Sequence, residues 1–286
     1  MEAEAYLEAK KKRLEEALKE YLSISDNPVF EAMRYVVLNG GKRFRPLLFL
    51  SCGEHFGASA EFLLPYACAI ELIHNYSLVH DDLPLMDNDD FRRGQPTCHR
   101  KFGEALALLA GDALLTLAFQ VLAEASPPNN PVLKDLFIKE LTAAAGPAGM
   151  IEGQWLDISF SPENKDLGFY QDIAAKKTAG LIMAAATGGA LLAGAPAASL
   201  EAIKQYSFYL GLAFQLRDDL EDLGSSPNTT ESLRPNLAVF LGKQTARENL
   251  FELQSAAIKA LRTCGINNSV LEYFVRMLQP ETGKRL

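Results

Sequence analysis

The run ELIHNYSLVHDDLPLMDNDDFRRG, residues 71 to 94, decides how the rest of the chain is read. Its first half continues an apolar segment that begins near residue 60, with apolar side chains on nearly every face, so it predicts a helix (60–82) at the centre of a bundle. The helix then meets Asp81 and Asp82, and after Pro84 come Asp87, Asn88, Asp89 and Asp90. Carboxylates are disfavoured at helix C-termini, where the macrodipole is negative, so this density of acid needs a compensating charge. Asp87 lies six residues past Asp81, about 240° around a regular helix, and the two can share a face only if Pro84 interrupts the helix.

The pattern recurs 218 − 81 = 137 residues later in FQLRDDLED (214–222), where Asp218, Asp219 and Asp222 close a second long helix. Asp218 and Asp222 stand at i and i+4, so their carboxylates repel across one turn. Divalent cations relieve that repulsion. All-oxygen ligation without a Cys or His pair points to Mg²⁺ rather than zinc, and Mg²⁺ usually bridges to phosphate. A calcium-binding EF-hand is excluded, because DNDDFRRG has Phe and Arg where that loop needs a ligand and a turn Gly. An Asp pair doing only acid–base work explains the site less well, since the acids outnumber what proton transfer requires.

Outside these runs, apolar residues recur at three- and four-residue intervals and strand-like alternation is hard to find. An opening amphipathic helix ends before Ser25, and further helices are expected near 28–38, 43–56, 60–82, 101–125, 131–144, 147–156, 166–192, 198–223, 237–263 and 268–279. The 104–125 stretch, like 61–80, is apolar nearly all round and is expected at the bundle centre. The uncharged stretch 179–200 is mostly Ala and Gly and reads as a buried, closely packed helix rather than a membrane span. No long linker interrupts the 286 residues, which predicts one domain.

Composition is ordinary for a globular chain, with 48% hydrophobic and 22% charged residues. A net charge of −8 argues against a nucleic-acid-binding face and requires any anion site to be locally basic. Such places exist: GGKRFRP (40–46) with Lys42, Arg43 and Arg45, then Arg92 and Arg93, then Lys176, Lys177 and Thr178. The N-terminus lacks an apolar signal region, and four scattered cysteines without a CxxC pair fit a reducing compartment, so a cytoplasmic location is expected.

Together GGKRFRP (40–46), HNYSLVHDDLPLMDNDDFRRGQPTCH (74–99), KKTAGLI (176–182) and GLAFQLRDDLED (211–222) resemble the trans-isoprenyl diphosphate, or polyprenyl, synthases. The longer first motif, with Tyr76 five residues before it, is most similar to the bacterial farnesyl diphosphate synthase branch. The resemblance implies an all-α, orthogonal helix bundle of the isoprenoid synthase type with a central apolar cavity, usually a homodimer. It also implies three Mg²⁺ per active site and no nucleic-acid or membrane partner. The implied reaction joins isopentenyl diphosphate to dimethylallyl or geranyl diphosphate through an allylic carbocation, giving farnesyl diphosphate.

Carried over residue by residue, Asp81, Asp82 and Asp87 hold two Mg²⁺ on the allylic diphosphate, and Asp218 holds the third with Asp219 and Asp222 in support. Arg92, Lys177, Thr178 and Gln215 contact the allylic substrate. Lys42, Arg45, His74 and Arg93 match the isopentenyl diphosphate site. Tyr76 is the expected floor for a fifteen-carbon tail, with Ser77 too small to block anything longer; the competing reading of Tyr76 is an ordinary core aromatic.

The chain departs from the family after residue 223, where GSSPNTTESLRPNLAVFLG holds no lysine before Lys243 and is shortened. Arg234 is a partial substitute at best. This departure leaves a weakly active or non-catalytic diphosphate-binding homologue as an alternative, beside a geranylgeranyl or longer-chain synthase. A terpene cyclase has no second substrate and so no use for the basic turn with His74 and Arg93.

Overall fold

The computed structural model describes residues 2–127, 129–161, 166–223 and 234–279. They form α1 (Glu2–Tyr21), α2 (Pro28–Leu38), α3 (Phe44–His55), α4 (Ala60–Asp81), α5 (Cys98–Phe102), α6 (Glu104–Glu124), α7 (Val132–Ala145), α8 (Met150–Ile158), α9 (Leu167–Ile173), a π-helical turn (Ala174–Ala179), α10 (Gly180–Leu192), α11 (Ala197–Asp222), α12 (Leu237–Leu241), α13 (Lys243–Thr263) and α14 (Ser269–Arg276). The only ladder among the described residues pairs β1 (Phe91–Arg92) with β2 (Gln95–Pro96). Arg93 and Gly94 both have positive φ there, the geometry of a tight two-residue hairpin turn. The fold class is all-α, as expected, and Cys52, Cys68, Cys98 and Cys264 are free thiols.

The residues group into two compact units, the first running to Leu50 and resuming over Ala58–Asn129, the second comprising Ser51–Gly57 and the residues from Asn130 onward. In the first unit α4 is the core element. Ser59 caps its start by accepting from the Phe62 N–H, and Leu63, Tyr66, Ile70, Leu72, Ile73 and Val79 are buried on all sides of it. α1 lays its Leu7, Leu14 and Leu18 stripe inward, and α4 packs on α1, α2 and α6. α6 departs from the sequence expectation. Ala107, Ala110, Gly111, Leu114, Ala118 and Val121 are buried, but Leu108, Leu109 and Phe119 on its other side are exposed, so it flanks the core rather than occupying its centre. Gly111 leaves room for the His80 ring on α4, which would have to move to admit a Cβ, since that atom would lie 2.1 Å from it.

In the second unit α11 packs on α10, α13 and the π-helical turn, and α10 on α7. The small residues of α10 are buried, as the Ala/Gly composition implies. Gly211 of α11 admits the π turn, since a Cβ would stand 2.5 Å from that of Ala179. α4 and α6 are long and apolar enough to cross a membrane by length and composition, and 67% of the α4 window is buried inside the protein.

Three expected helices are divided. The 101–125 segment breaks at Gly103 and the 237–263 segment at Gly242, both with φ near +80° to +86°, a conformation no helix continues through. The 166–192 segment is divided without a glycine: α9 passes into the π turn at Ala174 and resumes as α10.

Candidate functional site

In the first unit α4 ends at Asp81, and the Pro84 interruption operates as expected. The chain turns back so that the Asp87 N–H donates to the Asp81 carbonyl at 2.8 Å, while the Asn88 N–H donates to the Leu83 carbonyl at 3.1 Å. Asp81 and Asp87 are thereby tied to one turn. Asp82 points inward and is 3% exposed, with Arg92 on it: Nη2 lies 2.6 Å and Nε 2.7 Å from the same carboxylate oxygen. Burial pushes the Asp82 carboxyl above its ordinary range, and Arg92 opposes this.

Arg93 reaches back to the basic turn. Its Nη1 donates to the Gly40 carbonyl at 2.6 Å, and its guanidinium lies where a Cβ on Gly41 would be, 2.8 Å away. The hairpin thus places Arg93 beside the turn that carries exposed Lys42 and buried Arg45. Arg43 is consumed internally, pairing with buried Glu71 at 2.8 Å and donating to the Val37 carbonyl at 2.6 Å. Around partly buried His74, desolvation first and then Arg45, Arg93, Arg92 and Arg43 hold the imidazole well below its usual pKa, hence neutral at pH 7. Tyr76 is buried, makes an edge-to-face contact with His80 at 5.8 Å, and has its phenol pushed up to about 12 by burial and then by Asp81. The Ser77 hydroxyl donates to the His74 carbonyl.

In the second unit the polar groups form a chain of contacts. Lys177 Nζ lies 2.5 Å from Asp157 Oδ2. Thr178 Oγ1 donates to Gln215 Oε1 at 2.5 Å, and Gln215 Nε2 donates to Asp219 Oδ1 at 2.8 Å. Asp219 also accepts the Leu237 N–H at the start of α12 at 2.8 Å, and its carbonyl accepts from Asn236 Nδ2. Burial raises the Asp219 pKa to about 6; the Gln215 and Leu237 donors oppose this, and Asp222 and Asp157 add to it. Asp218 is half-buried and Asp222 exposed. Of the departing segment, residues 224–233 lie outside the described residues, while Arg234 is exposed.

No three acidic, His or Cys side chains are gathered into a ready-made metal cage among the described residues. The donors nevertheless fit Mg²⁺, which binds through one or two carboxylates plus phosphate oxygens and retained waters. Asp81 with Asp87, and Asp218 with Asp222, offer such pairs of hard oxygen donors.

Two residues missed in the sequence reading enter here. Glu71, on a helix face that reads as apolar, anchors Arg43, and Asp157, in the unremarkable GQWLDI (153–158), holds Lys177. Gly153 belongs with Asp157: a Cβ there would stand 2.5 Å from the Lys177 backbone nitrogen, so only glycine lets α8 lie this close to the π turn. An acid one turn after a glycine was the available signal.

The polyprenyl synthetase family matches residues 26–232. Farnesyl diphosphate synthase of Geobacillus stearothermophilus is 39% identical over 292 aligned positions, covering 97% of each chain. Farnesyl diphosphate synthase of Escherichia coli (strain K12) is 41% identical over 282 positions, covering 93% of this chain and 94% of its own. Among solved structures, an apo FPP/GFPP synthase from Zymomonas mobilis superposes with a TM-score of 0.88 at 34% identity, covering 96% of this chain and 98% of its own. A geranyltransferase from Legionella pneumophila gives 0.88 at 32% identity, with 97% and 96% covered.

Proposed function

The chain belongs to the polyprenyl synthetase family and is a prenyltransferase, and from that premise we propose that it condenses isopentenyl diphosphate with dimethylallyl or geranyl diphosphate to give farnesyl diphosphate. The observation that carries the product assignment is the identity of about 40% to two farnesyl diphosphate synthases over more than nine-tenths of each chain. We take the chain to be a single polyprenyl synthase domain, acting as a cytoplasmic homodimer.

The allylic C–O bond breaks with its electron pair leaving on pyrophosphate. The isopentenyl double bond then attacks the allylic cation, a C–C bond forms, and a proton is lost. Held by Asp81, Asp82 and Asp87 and by Asp218, with Asp219 and Asp222 in support of Asp218, Mg²⁺ would neutralise the charge that builds on the leaving diphosphate. Lys177, Thr178, Gln215 and Arg92 bind the allylic diphosphate by charge and hydrogen bonding. Lys42, Arg45 and Arg93 bind the isopentenyl diphosphate by positive charge alone, and neutral His74 adds a hydrogen bond without adding charge. The apolar faces of α4 above Asp81 exclude water that would quench the cation.

The test is incubation of the pure protein with Mg²⁺, isopentenyl diphosphate and each allylic diphosphate, with products identified by chain length. Fifteen-carbon diphosphate is expected; longer products favour the geranylgeranyl-type alternative, and diphosphate binding without turnover favours the non-catalytic one. Asp81→Ala and Asp218→Ala should each abolish most turnover, and near-native rates in either would refute the metal assignment.

A further inference from the structure

Lys176 and Lys177 are consecutive but partnered differently. Lys176 pairs with Asp172 at 2.7 Å and Glu152 at 3.2 Å, carboxylates whose side chains are 47% and 41% exposed. Lys177 pairs with Asp157, whose side chain is only 11% exposed. The pairing is built in: the close approach of α8 to the π turn, allowed by Gly153, puts the Asp157 carboxylate under the Lys177 ammonium. Next to it, Thr178 is fixed on Gln215. Lys177 keeps a quarter of its side-chain surface open, so it can meet an arriving anion while Asp157 cannot follow it into water.

We infer that Asp157 is a positioning residue that competes with diphosphate for Lys177, holding the ammonium between turnovers and drawing it back as pyrophosphate leaves. This rests on the reading that Lys177 contacts the allylic diphosphate. An anion that takes Lys177 leaves a nearly buried carboxylate without its cation, which is costly. The pair therefore weakens the grip of Lys177 on the diphosphate, and the penalty is relieved when the product departs. Removing the charge of Asp157 frees Lys177 to bind diphosphate more tightly, at the expense of release.

The probe is inorganic pyrophosphate with Mg²⁺, titrated calorimetrically into the full chain. Asp157→Asn should bind pyrophosphate about 3- to 10-fold tighter, the range expected for freeing one partly exposed cation. Lys177→Ala should bind it at least about tenfold more weakly, as for loss of a charge-assisted contact. Asp157→Glu keeps the charge and should stay near wild type. The double variant Asp157→Asn/Lys177→Ala should match Lys177→Ala. In turnover, Asp157→Asn should lower KM for the allylic diphosphate and lower kcat, with KM for isopentenyl diphosphate unchanged. Unchanged or weaker pyrophosphate binding in Asp157→Asn overturns the inference. So does tighter binding that persists in the double variant, which would show direct repulsion rather than competition for Lys177. If Lys177→Ala leaves pyrophosphate binding untouched, the assignment of Lys177 itself has failed. Asp157→Ser, neutral and smaller, repeats the measurement if the Asn variant does not fold.

Discussion

Arg92→Ala separates two roles that a loss of activity alone would confuse. Arg92 is assigned to the allylic diphosphate, yet its Nη2 and Nε both lie on one oxygen of Asp82, whose side chain is 5% exposed. Truncation leaves that carboxylate buried without its cation. Breaking a fully buried pair costs about 3 to 5 kcal/mol. Arg92 is itself 33% exposed, so water can enter the vacated space, and a loss of about 2 to 3 kcal/mol is expected here. The sign with pH follows from the direction of the Asp82 shift. Burial already raises its folded pKa above the unfolded value, and loss of Arg92 raises it further, so the folded state holds the proton more tightly than the unfolded chain. The destabilisation should therefore be small near pH 4 and grow as pH rises to neutrality. Urea unfolding of wild type, Arg92→Ala and Asp82→Asn/Arg92→Ala between pH 5 and 8 measures it, and the double variant should recover most of the loss because Asn needs no cation. An Arg92→Ala midpoint equal to wild type, a loss independent of pH, or no recovery in the double variant would refute the reasoning.

Asp219 makes a pH prediction of its own. Its folded pKa of about 6 lies above the ordinary carboxylate value, so its contribution to stability is fully present below about pH 4 and is lost as pH rises through 6. The whole swing is on the order of 3 kcal/mol. Asp219→Asn should flatten that part of the profile measured in chelator; parallel profiles for variant and wild type would disprove it. Tyr76→Ala should extend products beyond fifteen carbons with metal dependence unchanged, at a stability cost of about 3 kcal/mol for the lost buried ring. A folded, active variant that still stops at fifteen carbons would place the floor in other residues.

The helix starts expected at 28 and 60 hold, and the structure shows why: Asn27 before Pro28 and Ser59 before Ala60 each accept an N–H group of the first turn. Helix breaks were less legible. Gly103 and Gly242 are tolerable within a helix, and only their positive φ turns them into junctions. The π turn has no breaker in AAKKTA (174–179); it forms where Gly153 and Gly211 let α8 and α11 approach it. The apolar sequence of α6 reports hydrophobicity but not which side is covered, hence the error over its central position.

The same distinction governs the site. Acid density, the Pro84 interruption and the three basic clusters depend on neighbours in sequence, so they could be read directly. Which cations remain available to a substrate depends on buried carboxylates far along the chain. Arg43 belongs to the same motif as Lys42, yet Glu71, 28 residues away, takes its charge inside the fold. Lys177 is held by Asp157, 20 residues away. A buried carboxylate fixes its cation because neither can be left alone in a low-dielectric interior. Arg43 is enclosed completely and serves the turn, whereas Lys177 keeps one open side and can exchange its partner for a diphosphate. The difference between a structural cation and a binding cation therefore lies in how far its own carboxylate leaves it exposed.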